Sequence, residues 1–212
     1  MDVKRFAVTP GLKHIFTGKQ LAVLGEAVGD EATVELTTFQ QLLVEISADR
    51  YESAVLTLVE HGMKIYPVGP VVKNVRACGF CKGDEEEGYS AAVALDEAVA
   101  GLPTPFPLRI AYSGCPNGCA EPLVQDIGVV KVGDGFSVYV GGRATGLAPR
   151  NGVLLAEGVS EGDLPETVLR VVRAYQTHAR KRERFSQFVE RVGVEALEAP
   201  STGVTSEHEP SP

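Results

Sequence analysis

Two short segments contain the four cysteines of the chain: Cys78-Gly79-Phe80-Cys81 and, further along, Cys115-Pro116-Asn117-Gly118-Cys119. Gly, Pro and Asn surround both pairs, and these residue types are typical of loops. Two closely spaced thiolates from each of two loops are what a four-thiolate metal centre requires. The pattern therefore predicts that the fold brings both loops together around one centre.

Composition indicates the compartment in which these thiols reside. The sequence shows no signal-peptide-like apolar segment and no run of about 18 apolar residues, which favours a cytoplasmic protein without membrane association. Cysteines stay reduced in that compartment, so metal or redox chemistry is favoured over disulfides. With 28 acidic and 20 basic side chains, the net charge of -8 argues against nucleic-acid binding.

Residues 1–69 alternate strand and helix patterns, which predicts a small α/β sandwich as the first domain. The first helix is expected to begin after an N-cap at Thr17, with Leu21, Leu24 and Val28 on its buried face. The second is expected to have Asp49 as its cap. Strands are predicted over residues 3–8, 33–38, 42–46 and 63–68.

Residues 70–197 are predicted to form a second, mixed α/β domain, which makes the fold class α+β. One long carboxy-terminal helix is expected from Leu164 to Val192, with Asp163 as its cap. Residues 198–212 contain little that could be buried, so this tail is predicted to be disordered. The other predicted elements are a helix over 90–100, a strand over 108–112 and a hairpin of 127–132 with 136–140.

Three interpretations of the cysteines are open. Structural zinc accepts paired thiolates, although three residues separate Cys115 and Cys119, which is longer than the commonest zinc-ribbon spacing. Cysteines without a metal pack as small apolar core residues, but their loop surroundings argue against this. An iron-sulfur cluster is favoured, because glycines allow backbone amides to approach the sulfides. These glycines are Gly79, Gly83, Gly114 and Gly118.

The segment Ser113-Gly114-Cys115-Pro116-Asn117-Gly118-Cys119-Ala120-Glu121 resembles the second cluster motif of the siroheme-dependent sulfite and nitrite reductases. The resemblance covers roughly residues 10–197 and implies a small single-unit version with a ferredoxin-like domain followed by a 4Fe-4S and siroheme domain. Other segments that resemble the family are Leu36-Thr37-Thr38-Phe39-Gln40, Asp126-Ile127-Gly128-Val129, Gly141-Gly142, Glu183-Arg184-Phe185 and Arg191-Val192-Gly193.

The resemblance also implies the cofactors and their ligands. In this family four cysteines bind a [4Fe-4S] cluster, and the last one is shared with the siroheme iron. Cys78, Cys81, Cys115 and Cys119 would then be the ligands, with Cys119 as the shared, catalytic thiolate. Because siroheme carries many carboxylates, cations near the loops are expected to bind it. The candidate cations for cofactor binding are Arg76, Lys82, Lys131 and Arg143, and the uncharged Asn117 is a further candidate contact. Arg109 is the candidate for catalysis, and Arg150 is a further cation.

This chain departs from the family pattern at three places. Cys78 and Cys81 are separated by two residues, where the family usually has five. Phe39 stands where the family commonly carries an arginine. The family also has two lysines, one residue apart, in the connector where this chain has Pro107-Leu108-Arg109, which provides at most one positive charge. An aromatic ring cannot replace a guanidinium in stabilising an oxyanion. Lys13 and His14 are candidates for the missing cations.

The resemblance implies an oxidoreductase that reduces sulfite or nitrite. Its electrons are expected to come from a separate donor protein, because no flavin or nicotinamide fingerprint is present. The alternative is a non-catalytic 4Fe-4S electron-transfer or accessory subunit that has lost oxyanion reduction. A zinc-stabilised binding module is the third interpretation. Larger family members place their cofactor between two pseudo-repeated halves. This chain is therefore expected to be either a compact single-unit version or one whose pocket a homodimer or a partner subunit completes.

Overall fold

The computed structural model describes residues 2–12, 14–79, 81 and 88–198. The first sheet contains four antiparallel strands, β1 (Val3–Thr9), β2 (Thr33–Leu36), β3 (Leu42–Ser47) and β4 (Lys64–Pro67). Its strand order is β2-β3-β1-β4. Helices α1 (Gly18–Val28) and α2 (Tyr51–Glu60) connect β1 to β2 and β3 to β4. This β-α-β-β-α-β arrangement is the ferredoxin-like topology.

The second sheet contains five strands in sequential order, β5 (Arg76–Ala77), β6 (Ile110–Ser113), β7 (Ile127–Val132), β8 (Gly135–Val140) and β9 (Val153–Val159). β5, β6 and β7 run parallel, whereas β7, β8 and β9 are antiparallel. The accompanying helices are α3 (Tyr89–Val99), α4 (Leu164–His178), α5 (Phe185–Val192) and α6 (Glu195–Glu198). Two sheets with helices confirm the mixed α/β class.

Each sheet has its own apolar core. The smaller core lies between the first sheet and α1 and α2, and includes Phe6, Leu24 and Leu58. The larger core joins the second sheet to α3, α4 and α5, and also takes Leu12 from the segment that follows β1. Leu12 therefore links the segment that follows β1 to the core of the second sheet.

Local signals at the helix starts predicted some details correctly and others not. Thr17 caps α1 as predicted: the Gln20 amide donates to Thr17 Oγ1 at 3.1 Å, and the Thr17 amide donates to Gln20 Oε1 at 3.0 Å. The placement of Leu21 on the buried face is wrong, since this side chain is 50% exposed. Asp49 is not the cap of α2, because a 3-10 turn over Ala48–Arg50 precedes that helix.

The predicted long carboxy-terminal helix is wrong, because α4 ends at His178 and α5 begins at Phe185. Arg182 adopts a φ of 61° in the connection, and the Arg180 amide donates to Glu183 Oε2 at 2.8 Å. Apolar residues keep helical spacing on both sides of this break, so their periodicity did not reveal it. Asp163 occupies the N-cap position of α4 as predicted, but its side chain makes no capping hydrogen bond.

The described part of the chain contains no helix that is long and apolar enough to cross a membrane. The predicted domain boundary at residues 69 and 70 stays a prediction, as does the boundary at residue 198. The tail from residue 199 onward lies outside the described residues. β9 was not predicted, because its side chains are mostly exposed and show no regular alternation.

Candidate functional site

Both cysteine loops leave the same edge of the second sheet. Cys78 directly follows β5, and β6 ends two residues before Cys115. β5 and β6 are parallel neighbours with Ala77 opposite Tyr112, so their carboxyl ends lie side by side. The Cys78 amide donates to the Tyr112 carbonyl at 3.0 Å, and the Gly114 amide donates to the Cys78 sulfur at 3.4 Å. The two loops are therefore in direct contact.

The second loop is shaped by its own polar contacts. Gly118 adopts a φ of 67°, a left-handed conformation that glycine tolerates best. The Ala120 amide donates to Ser113 Oγ at 3.2 Å, which fixes the end of the loop on β6. The Asn117 side-chain amide donates to the Cys119 sulfur at 3.3 Å. Hydrogen bonds of this kind stabilise a thiolate. Asn117 therefore contacts the Cys119 sulfur in this structure, and its contact with a cofactor stays a prediction.

The four thiols are free, with Cys78 and Cys115 half-buried and Cys81 and Cys119 exposed. Among the described residues, no group of three or more His, Cys, Asp or Glu side chains could hold a metal ion. A four-iron cluster instead takes one thiolate at each of its four iron atoms, so its ligands stand further apart than those of a single metal ion. Two touching loops with amides directed at sulfur fit that larger group. Lys82 and Gly83 lie outside the described residues.

Phe39 follows β2 and is only 6% exposed, because it packs where the first sheet meets the second. This contact region, formed by Phe39, His14, Asn74, Arg76 and Arg109, is called the cleft below. The guanidinium carbons of Arg76 and Arg109 each lie 5.8 Å from the centre of its ring. Arg76 also donates to the Ala120 carbonyl at 2.5 Å and forms an ion pair with Glu121 at 2.7 Å. Arg76 thus connects the cleft to the end of the second cysteine loop.

Buried polar atoms without a hydrogen-bond partner occur in the same cleft. Within the described residues these atoms are both ring nitrogens of His14, Nδ2 of Asn74 and Nε of Arg76. Asn74 uses its oxygen to accept a bond from Gln41, which belongs to the first sheet's side of the cleft. Buried polar groups are normally paired, so these atoms fit a polar or anionic ligand that enters the cleft.

The electrostatics of the cleft disfavour additional positive charge until an anion binds. Burial, and then the Arg76 guanidinium, lower the pKa of His14 below its ordinary value of 6.5. Burial, and then Arg109, likewise lower the pKa of Lys73. Both shifts report cations gathered in a partly desolvated space. A bound anion would stabilise the protonated forms of both groups.

Lys73 is a cation of this cleft that the sequence analysis missed. Its amide donates to the Leu108 carbonyl at 2.8 Å, which places it next to Arg109, and its Nζ donates to the Gly69 carbonyl at 3.2 Å. No motif marks Lys73 in the sequence. The sequence does show that Lys73 is a charged residue inside the short apolar run that leads to Cys78, and this could have marked it as a candidate.

The other predicted cations lie at two different edges of the second sheet. Lys131 is near the carboxyl end of β7, next to the end of β6 and so on the side of the cysteine loops. Arg143 and Arg150 follow β8, which is antiparallel to β7, so they lie at the opposite edge. Arg143 Nε donates to the Thr145 carbonyl at 2.7 Å, whereas Arg150 pairs with Glu190. Their roles toward a cofactor stay predictions, and Lys13 lies outside the described residues.

Two glycines allow the turn after the second cysteine loop to pack directly on the sheet. A Cβ atom at Gly128 would lie 2.1 Å from the Pro122 carbonyl oxygen, and one at Gly142 would lie 2.4 Å from the Gln125 carbonyl oxygen. Any side chain there would push the turn away from the sheet. The lack of a side chain at both positions therefore lets the turn that follows the second cysteine loop pack closely against the sheet.

The sequence profile described as "Nitrite and sulphite reductase 4Fe-4S domain" matches residues 73–200. This range contains both cysteine loops and the whole second sheet. The chain therefore belongs to the nitrite and sulphite reductase 4Fe-4S domain family.

Three individual proteins illustrate the relationship. A cobalt-factor III methyltransferase of Priestia megaterium is 29% identical over 88% of this chain and 34% of its own length. An assimilatory-type sulfite reductase of Nitratidesulfovibrio vulgaris is 33% identical over 59% of each chain. This chain thus spans less than two thirds of the length of either relative. The crystal structure of dissimilatory sulfite reductase I shares the fold, with a TM-score of 0.75 at 13% identity over 92% of this chain and 68% of that chain.

Proposed function

We propose that the chain is an oxidoreductase of the sulfite and nitrite reductase type, with a [4Fe-4S] cluster and siroheme as cofactors. The observation that carries the proposal is the contact of both cysteine loops at one sheet edge, beside a cleft of cations and unpartnered buried polar atoms. Family membership and the name of the sulfite reductase relative support it.

The cluster ligands in this proposal are Cys78, Cys81, Cys115 and Cys119, with Cys119 shared with siroheme. The Gly114 amide and the Asn117 side chain donate to the Cys78 and Cys119 sulfurs, and such bonds stabilise the added negative charge of a reduced cluster. The described polypeptide thus contributes both the thiolates and part of their electrostatic tuning.

The cleft cations would hold the carboxylates of siroheme or the anionic substrate. Siroheme supplies the iron at which sulfite or nitrite is reduced when it is bound. Arg109 provides positive charge next to Phe39, which replaces the arginine that the family commonly has, and Lys73 adds a second cation near Arg109. Arg109 keeps its proposed catalytic role, and Arg76, Lys82, Asn117, Lys131 and Arg143 keep their proposed cofactor contacts.

Two partners are proposed, an electron donor and a second subunit. We expect a separate electron-donor protein, because the sequence has no flavin or nicotinamide fingerprint. A second copy or another subunit is proposed to complete the cofactor pocket. The net charge of -8 argues against nucleic acid as a partner, and the proposed location is the cytoplasm.

A second candidate function is an accessory 4Fe-4S electron-transfer subunit without oxyanion reduction. Two observations favour it. Phe39 puts an uncharged ring at the centre of the cleft, where the family commonly has a guanidinium. In addition, a relative that aligns with 88% of this chain is named a methyltransferase and not a reductase.

Anaerobic purification after co-expression with cluster and siroheme biosynthesis enzymes separates these functions. We expect iron, sulfide and an absorption spectrum with both cluster and tetrapyrrole bands, together with sulfite or nitrite reduction by a chemical donor. A cluster without tetrapyrrole or turnover would support the accessory subunit. Zinc without iron would contradict both candidates and support a zinc-stabilised module.

A further inference from the structure

The turn that connects α4 to α5 carries three adjacent cations, Arg180, Lys181 and Arg182, and all three are exposed. None of them forms an ion pair within the described residues. The acidic residue of the same turn, Glu183, accepts two hydrogen bonds from Arg191, which balances its charge. These three cations, called the basic turn below, therefore leave local positive charge on a chain whose net charge is -8.

The basic turn has a fixed backbone. Arg182 adopts a left-handed conformation with a φ of 61°, and the Arg180 amide donates to Glu183 Oε2 at 2.8 Å. The Arg191 guanidinium also donates to the His178 carbonyl at 3.0 Å, just before the turn. Because contacts hold the backbone on both sides, the turn loses little conformational freedom when a partner binds, which favours recognition.

The other end of α4 is acidic. Glu161 and Asp163 lie between β9 and α4, and Asp134 lies in the turn between β7 and β8. The two turns are neighbours, because Phe136 pairs with Val159. All three acidic side chains are exposed, and none forms an ion pair in the described part of the chain. These three residues, called the acidic end below, lie on the side of the cysteine loops, because β7 runs parallel to β6.

The basic turn and the acidic end cannot pair within one molecule. They lie at opposite ends of α4, whose 15 residues span about 22 Å. That length exceeds the Debye length of about 8 Å at physiological ionic strength, so the two groups scarcely attract each other within a chain. A second molecule that lies antiparallel to the first can bring each group next to its opposite.

We propose that the chain forms a two-fold dimer in which the basic turn of each copy contacts the acidic end of its partner. Three cations then face three carboxylates at two equivalent contacts, and the two-fold axis closes the assembly. Two copies with a net charge of -8 repel each other in most orientations, so local charge complementarity selects this one. The contact itself needs no cofactor. Its role as the second subunit that completes the cofactor pocket rests on the proposed function.

Sedimentation of the full chain tests the contact. The wild type should be dimeric at low ionic strength and should dissociate as salt rises from about 20 mM to about 500 mM, because exposed charges are screened. Lys181→Glu with Arg182→Glu should weaken self-association about tenfold or more. The matched control is Lys4→Glu with Lys19→Glu, which makes the same change in net charge at exposed positions of the first domain. This control should associate close to the wild type.

The reciprocal variant is Asp134→Lys with Glu161→Lys, which should weaken self-association by a similar factor. Neither reversal variant should form its own dimer, but a mixture of the two should form a heterodimer, because opposite charges meet again at both contacts. A heterodimer would also show that both variants are folded.

The inference would be overturned by a wild type that stays monomeric at low ionic strength, by a dimer that neither reversal weakens, by a mixture without heterodimer, or by open-ended chains instead of dimers. Iron, sulfide and tetrapyrrole are measured in the same samples. A salt-sensitive dimer without any of them would contradict the proposed function alone. A cofactor-loaded protein that stays monomeric would overturn the inference alone.

Discussion

At the residue scale, side chains that bury an unpaired polar atom carry more information than those with complete hydrogen bonding. His14, Asn74 and Arg76 each bury polar atoms that lack partners within the described structure. Leaving one such atom unpaired costs about 1–3 kcal/mol, which a bound ligand can offset. A lone histidine carries no motif, so the surroundings of His14 could not be predicted. The cysteine pairs were recognisable from their spacing alone.

We expect His14→Gln to remove a pH-dependent part of the folding free energy. Because the pKa of His14 is lowered in the folded chain, the unfolded chain binds more protons below about pH 6.5, and the folded state loses stability as the pH falls through that value. Urea unfolding at about pH 7.5 and 5.5 measures the loss, which should be smaller in the variant than in the wild type.

The matched control for this measurement is His178→Gln, since His178 is exposed at the end of α4. It should lose as much stability as the wild type between the two pH values. If the wild type and His14→Gln lost the same amount of stability, the burial of His14 in the cleft would be refuted.

At the scale of elements, alternation and turn residues predicted most of the strands, while helix continuity was misjudged. The hairpin of β7 and β8 followed from Gly133 and Asp134 between two alternating runs. The break between α4 and α5 was invisible to periodicity, because it depends on a contact between residues on either side of a turn. Glu183 accepts bonds from Arg191 at 2.7 and 2.8 Å and closes that turn.

We expect Glu183→Gln to lower the midpoint of thermal unfolding at pH 7 by about 2–4 °C. The hydrogen bonds from Arg191 hold the pKa of Glu183 at about 2, well below its ordinary value of 4.5. The stabilisation is therefore present above pH 4.5 and is lost as the pH falls toward 2. Calorimetry of both proteins across this range should show the difference between them shrinking.

Glu166→Gln provides the control, because Glu166 forms an exposed pair with Arg173 at 3.1 Å within α4. Exposed pairs contribute little, so this variant should melt like the wild type. A Glu183→Gln protein that also melted like the wild type at pH 7 would show that the turn is held by other contacts.

At the scale of the whole molecule, buried polar contacts through Asp96 of α3 connect the first sheet to the second domain. The Tyr66 hydroxyl in β4 donates to Asp96 at 2.6 Å, and the Val75 amide donates to the same carboxylate at 2.8 Å. Asp96 thus fixes the segment just before β5 and the first cysteine loop. The short spacing within each cysteine pair predicted that the two cysteine loops lie close together. The cleft could not be predicted, since it joins residues far apart in sequence.

The central claim is that both cysteine loops bind one cluster together. The most direct measurement is the iron and acid-labile sulfide content of anaerobically purified wild type and of two paired variants, Cys78→Ser with Cys81→Ser and Cys115→Ser with Cys119→Ser. We predict about four sulfide and about four iron per wild-type chain, or about five iron when siroheme is also bound, and loss of the cluster iron and sulfide from each paired variant, because either loop alone supplies half of the thiolates. Wild-type iron and sulfide content in either variant would contradict the claim.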